Sequence, residues 1–297
     1  MQLGLTRRHF LAAAGSLCLP RELHASAPTT RSFWVLKLLH PAFLSVRPLG
    51  TARLHCTSAH RSWIVEGSET LSMDPASGPV RVTGPANRPV NFVLEIPNVI
   101  RRSYFGAFDL RSPAGVLIPV VTMDCELAAG SIVGAELPVY ACPPNALAAQ
   151  AVVSRSVLCA ATAPRHNVAD FCDTTHCQFL RSPAAPGSNV AQAIQATAGV
   201  VLFERERILP ARYSAACGGA TESGVDGDYQ YVSVPCETCR GSRNVRRGHG
   251  WGLCQDGAIG LARLGWSWRA ILANYYPNAT VGSEALDVTR PLSAVGL

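Results

Sequence analysis

The hydrophobic rhythm of the chain changes near Glu136, and that change limits the folds open to it. Over residues 32–125 short apolar runs alternate with turn residues: FWVLKLL, ARLHCTS, SWIVEG, PVRVTG, VNFVLEI, YFGAFDL and GVLIPVVTM. Runs of this length, punctuated by Gly and Pro, read as strands. After Glu136 the spacing becomes helical. Pro144 opens PNALAAQAVVSRSVLCA, where Leu147, Ala151, Ser154 and Leu158 share a face and the proline sits near the first helical position. A second helix is predicted from 189 or 190 to 198, with Ser188 and Asn189 as caps and Gly199 as its stop. It leads into VVLF, a turn through ERER, and ILPARYS, a hairpin pattern. QDGAIGLARLG and SWRAILANYYP read as two short helices, the first closed by Gly265, the second capped by Ser267 and ended by Pro277. The expectation is an α+β fold, a β-rich N-terminal part packed with a mixed α/β domain.

Composition agrees with a packed core. Of 297 residues 48% are hydrophobic and only 15% charged, the balance of a globular chain of one or two domains. The formal charge of +6 rests on one lysine, Lys37, and many arginines, with no long basic block. This argues against nucleic acid as a partner, while mild positive charge suits an anionic polymer.

The first residues, LTRRHFLAAAGSLCLPRELHASA, place the pair Arg7 and Arg8 before a short apolar run and then Ala25-Ser26-Ala27, a pattern suited to signal-peptidase cleavage. The run is too short to span a bilayer, so no stable membrane span is expected. Thr6-Arg7-Arg8-His9-Phe10-Leu11 resembles the twin-arginine export signal, whose pathway carries folded proteins. A general secretory signal with incidental arginines is the alternative. Either way the destination is the periplasm or cell envelope.

Ten of the eleven cysteines lie beyond residue 27, in a compartment where disulfides persist. His166, Cys172 and Cys177, in HNVADFCDTTHCQFL, are spaced compatibly with three ligands of a tetrahedral ion. His176 competes with His166 as the nitrogen ligand, and a Cys172–Cys177 disulfide is the rival reading. Export after folding favours the metal, because thiols stay reduced in the cytoplasm where it would be loaded. Cys236-x-x-Cys239, in VPCETCRGSR, is a second close pair, open between a disulfide and a second metal site, with Cys217 as a candidate partner.

Five motifs fall in one order: GAELPVYACPPNALAAQAVVSRSV, HNVADFCDTTHCQFL, AIQATAGVVLF, ARYSAACGGATES and GHGWGLCQDGAIGLARLGWSWRAILANYYP. Together they resemble the stage II sporulation protein D family, the SpoIID/LytB domain, over roughly residues 103–281. The resemblance implies a peptidoglycan lytic transglycosylase that cuts glycan strands, preferably lacking stem peptides, to 1,6-anhydro-muramic acid ends. It implies Glu136 as the single catalytic acid and base. Such a reaction needs one carboxyl to protonate the glycosidic oxygen and then to take the proton of the sugar's own 6-hydroxyl. Water-using glycosidases need two carboxylates instead. The surroundings, SIVGAELPVYAC, are apolar and should raise the carboxyl's pKa.

The same resemblance suggests the substrate-binding residues. Arg155, in the signature helix, would hold the lactyl carboxylate of muramic acid or orient Glu136. YSAACGG, residues 213–219, resembles YHSSCGG, with Ser214 in the place of histidine and Ala215 and Ala216 in the place of hydroxyl residues. Tyr213, Ser214, Gly218 and Gly219 are expected at the sugar, the glycines permitting close backbone approach. GHGWGLCQDGA resembles GHGVGMSQWGA, with Cys254 for serine and Asp256 for tryptophan. His249 and Gln255 would hydrogen-bond the sugar, and Trp251 offers it an aromatic face. Zinc held by His166, Cys172 and Cys177 would be structural. The implied division is an export signal at 1–27, a β-rich region at 28–125, a catalytic domain at 126–281 and a tail at 282–297. Two other readings stand beside it: a non-catalytic wall-binding enhancer of a partner amidase, and a cysteine hydrolase using Cys217 or Cys254 with His249.

Overall fold

The computed structural model describes residues 29–239 and 245–283. The expected export signal and, from 284 onward, the expected tail lie outside the described residues.

The first part is built of β1 (Thr30–Trp34), β2 (Leu44–Pro48), β3 (Arg53–Thr57), β4 (Ser62–Glu66), β5 (Leu71–Met73), β6 (Val80–Thr83), β7 (Val90–Ile96), β8 (Ile100–Arg111) and β9 (Ile118–Asp124). The long β8 joins two walls. Its first half pairs antiparallel with β7, from Ile96 opposite Ile100 to Val90 opposite Gly106. Its second half pairs with β9 and β6, from Ala107 opposite Thr122 onward. Gly106 marks the switch: a Cβ there would lie 2.2 Å from the Thr122 carbonyl oxygen, so this close strand approach requires glycine. Tyr104, Phe108 and Leu110 are buried at period two, and Phe92 packs its ring against Tyr104 and Phe108 at 5.9 Å each.

β1 pairs antiparallel with β9 and, on its other side, parallel with β10 (Phe171–Cys172), Phe33 facing Phe171 and Trp34 facing Cys172. The segment carrying the His/Cys motif therefore extends the N-terminal sheet. One apolar core runs from these strands through Phe171 and Cys172 into the helices beyond residue 125.

Directly after β9 comes α1 (Cys125–Glu136), capped by Asp124, whose carboxylate accepts from the Glu126 and Leu127 N–H groups. No helix is expected here from the sequence. Ala128, Ala129, Gly130, Ser131, Ile132 and Val133 are all buried, so the helix is apolar nearly all round and shows no amphipathic stripe. α2 (Pro144–Ala160) has the bounds its sequence predicts and is buried from Ala146 through Cys159. It is the central rod of the domain. Ala146, Leu147, Ala151 and Leu158 join the core shared with the strands, while Ala149, Val152 and Val153 join the C-terminal one. Burying each leucine is worth about 1.5–3 kcal/mol.

α3 (Asn189–Ala196) is capped by Ser188, whose Oγ accepts from Ala191 N–H. β11 (Val200–Glu204) and β12 (Arg207–Ile208) form the expected hairpin. β13 (Tyr213–Ser214), the small hairpin of β14 (Gly224–Asp226) and β15 (Tyr229–Tyr231), and β16 (Leu253–Cys254) follow. α4 (Gln255–Arg263) and α5 (Trp268–Tyr275) pack on α2, and β17 (Thr280–Ser283) pairs with β11. The α+β architecture matches the expectation. Among the described residues no helix is long and apolar enough to cross a membrane.

Candidate active-site cleft

Two-residue strands set the site. β13 and β16 run parallel, Tyr213 beside Leu253 and Ser214 beside Cys254, which brings Tyr213 and the first residue of α4, Gln255, to the last residue of α1, Glu136. These three side chains line a cleft of about 480 Å³, together with Ser214 and His249. Among the described residues Glu136 is the only acidic side chain in its lining.

Glu136 Oε1 accepts from the Tyr213 hydroxyl at 3.2 Å and Oε2 from Gln255 Nε2 at 3.4 Å. Burial raises the carboxyl's pKa, and donors from Gln255, Tyr213 and the Phe179 backbone, with the Arg181 guanidinium, pull the other way. Its place at the carbonyl end of α1 also disfavours negative charge. The result is a carboxyl that is both held in place and easier to protonate than an exposed one.

Tyr213 donates one hydroxyl proton between Glu136 and Gln178 Oε1, the latter at 3.0 Å. Burial and the adjacent Glu136 carboxylate hold its pKa well above the ordinary phenol value, so it remains a neutral donor. Gln178 is fixed in turn, its Nε2 donating to the Cys177 carbonyl at 2.7 Å. Gln255 Nε2 also reaches Gln150 Oε1 at 3.4 Å, and Gln150 Nε2 reaches Ser154 Oγ at 3.2 Å, tying the site to α2. Ser214 Oγ is buried without a hydrogen-bond partner among the described residues, an unsatisfied hydroxyl in the cleft wall. His249 Nδ1 accepts from Trp251 N–H at 3.0 Å, and burial with nearby Arg212 lowers its pKa, which favours the neutral ring.

The His/Cys loop forms another wall, through His176, Cys177 and Gln178. His166 Nε2 and His176 Nδ1 stand 3.2 and 3.3 Å from Cys177 Sγ, and His176 Nδ1 stands 3.9 Å from Cys172 Sγ. All four ligand atoms lie within 4.8 Å of one another. A tetrahedral ion with bonds of about 2.0–2.3 Å places its ligands about 3.3–3.8 Å apart, so the donor set fits a metal. Cys172 and Cys177 are free thiols, and the rival disulfide is not formed. Instead of competing, His166 and His176 both join the group.

Four residues expected at the sugar lie outside the cleft lining. Arg155 does not reach the cleft. It is fully buried and pairs bidentately with Glu126, at 2.7 and 2.6 Å, while its third nitrogen donates to the Val200 carbonyl at 3.0 Å. Glu126 also accepts from Gly199 N–H at 2.9 Å, so the pair fastens α1, α2 and β11 together and serves Glu136 only through the helix that carries it. Gly218 and Gly219 do not line the cleft either. With φ of 78° and 117° they form the turn after Cys217, and Gly219 O accepts from Cys236 N–H at 2.9 Å. Trp251 is committed to packing, stacked on Tyr231 at 5.8 Å and pressed against Gly224.

Sequence reasoning assigned no role to Gln178 or to the cleft arginines Arg165, Arg212 and Arg247. The available signal was adjacency, since Gln178 follows Cys177 and Arg165 precedes His166.

The chain is thus an α+β protein whose cleft, among the described residues, is lined by one carboxyl and walled by a metal-competent loop. Residues 115–203, from before β9 to within β11, match the family model described as Stage II sporulation protein, SpoIID. The match includes Glu136 and the His/Cys loop and stops short of Tyr213, His249 and Gln255. No curated protein matches the chain.

Proposed function

We propose that the protein is a lytic transglycosylase that cleaves peptidoglycan glycan strands, preferably lacking stem peptides, with Glu136 as acid and then base. One observation carries the reading: among the described residues a single carboxyl in the cleft lining, part-buried, its pKa raised, and held by Tyr213 and Gln255. A reaction that uses the sugar's own 6-hydroxyl in place of water needs only one such group. Protonated Glu136 gives its proton to the glycosidic oxygen as the bond to the anomeric carbon breaks. The carboxylate then takes the 6-hydroxyl proton as that oxygen closes on the anomeric carbon, which restores the acid. Gln255 and Tyr213 keep the carboxyl aimed through both steps, and His249 supplies a hydrogen bond to the sugar.

A strand without peptides carries a free lactyl carboxylate on each muramic acid. Arg212 and Arg247 are already paired, with Asp226 at 2.5 Å and Asp256 at 2.6 Å. Arg165 is exposed at the cleft, 5.5 Å from the Phe171 ring, with no ion-pair partner among the described residues. We assign the carboxylate to Arg165 instead of Arg155. His166, Cys172, His176 and Cys177 would hold zinc; with four protein ligands the site is closed, and its contribution would be to brace the loop that presents Gln178. Export to the periplasm or cell envelope belongs to the same proposal. The cysteine hydrolase reading loses its support, because Cys217 and Cys254 are buried and do not line the cleft.

Incubating the purified protein with peptide-free glycan strands tests the proposal. Cleavage by the parent and binding without cleavage by Glu136→Gln is the expected result. Binding without cleavage by both would select the non-catalytic amidase enhancer.

A further inference from the structure

Four cysteines outside the cleft converge from separate loops. Cys217 follows β13, Cys236 precedes and Cys239 ends a single 3-10 turn, and Cys254 ends β16. All are buried, and their sulfurs lie within 4.8 Å of one another. We propose that Cys217, Cys236, Cys239 and Cys254 form a second metal site, a closed all-cysteine site for a tetrahedral, thiophilic divalent ion of the zinc class.

Several independent features point there. Thiolates on zinc, at about 2.3 Å from the ion, stand close to 3.8 Å apart, whereas a disulfide needs about 2.05 Å; Cys217, Cys236 and Cys254 are free thiols. The backbone is arranged to support charged sulfur. Cys254 Sγ accepts from Cys217 N–H and Gly257 N–H, each at 3.3 Å, and it caps the positive end of α4. Tyr275 Oη lies 3.0 Å from Cys236 Sγ.

Space has been cleared for the sulfurs as well. A Cβ on Gly257 would come 2.2 Å from Cys236 Sγ and 2.1 Å from Tyr275 Oη, so α4 approaches the cluster this closely only with glycine there. The Gly218-Gly219 turn acquires a purpose: it folds the backbone after Cys217 so that Gly219 O meets Cys236 N–H. A cluster of small apolar side chains would need neither the N–H donors nor the turn. The ion would also lock the β16–α4 junction, where Gln255 follows Cys254 and reaches Glu136.

The experiment is metal analysis of the full chain with X-ray absorption of the bound ion. Cys177→Ser, which disables only the His/Cys loop, should retain one ion per chain in a shell of four sulfurs. Cys236→Ser combined with Cys239→Ser should lose that ion. Should the double variant fail to fold, Cys254→Ser serves, since serine stands there in the motif it resembles: it should fold and hold its ion at least about tenfold more weakly against a chelator, no less than the loss of an outer-shell partner would cause. Absence of a four-sulfur shell in Cys177→Ser, or disulfides joining these cysteines in the unreduced folded protein, overturns the proposal.

Discussion

The Tyr213 hydroxyl stands 3.2 Å from Glu136 Oε1 and 3.0 Å from Gln178 Oε1, and its one proton serves both. Through Gln178, which follows Cys177, the His/Cys loop is coupled to the carboxyl proposed to do the chemistry. Tyr213→Phe removes a donor that lowers the Glu136 pKa. The loss of one hydrogen bond, about 1–1.5 kcal/mol, should lower kcat roughly tenfold. The proposed reaction starts from protonated Glu136, so activity should fall as pH rises through its pKa. A further raised pKa should move that alkaline limb upward in a pH profile of kcat.

Glu136→Gln should stabilise the fold at neutral pH while reducing turnover by about 10²–10⁴-fold. Burial raises the carboxyl's folded pKa above its unfolded value, so the folded state binds the proton more tightly. Stability is then highest below the unfolded value, about 4.3, and declines as pH rises through the folded value. Gln cannot ionise and escapes that decline. Thermal melts should show the variant's advantage at pH 8 and its disappearance at pH 4.

Arg155→Met strands Glu126 among α1, α2 and β11 without its partner. Breaking a buried pair on one side costs about 3–5 kcal/mol, and denaturant melts should show a loss of that order. At a temperature where the variant is still folded, KM should be near the parent's, since Arg155 does not touch the cleft.

Arg165→Ala should do the opposite, leaving the melting temperature in place and raising KM. One charge-assisted contact at an exposed site is worth about 1 kcal/mol, roughly fivefold in KM. The effect should shrink with added salt and vanish on strands whose lactyl carboxylates have been amidated.

Much of this architecture is legible in the sequence where local rules dominate. α2 announces itself through Pro144 and a clear period, and Ser188 and Ser267 cap α3 and α5 as expected. α1 is hidden because it is buried on nearly every side, so its residues carry no polar face to set a phase. β10 is two residues long and pairs with β1, some 140 positions earlier, a contact no local pattern encodes. Arg155 misleads for a related reason. Small neighbours in an alanine-rich helix look like an exposed face, and the partner that makes its burial tolerable, Glu126, lies 29 residues away. Tyr213, Gln255 and Cys254 reach their places by the β13–β16 pairing, which only the folded chain creates.

The central claim is that Glu136 works alone and that no water enters the product. Cleavage of peptide-free strands in water labelled with heavy oxygen, followed by mass spectrometry of the fragments, tests this most directly. The account predicts unlabelled 1,6-anhydro ends from the parent protein and none from Glu136→Gln; labelled reducing ends from the parent would contradict it.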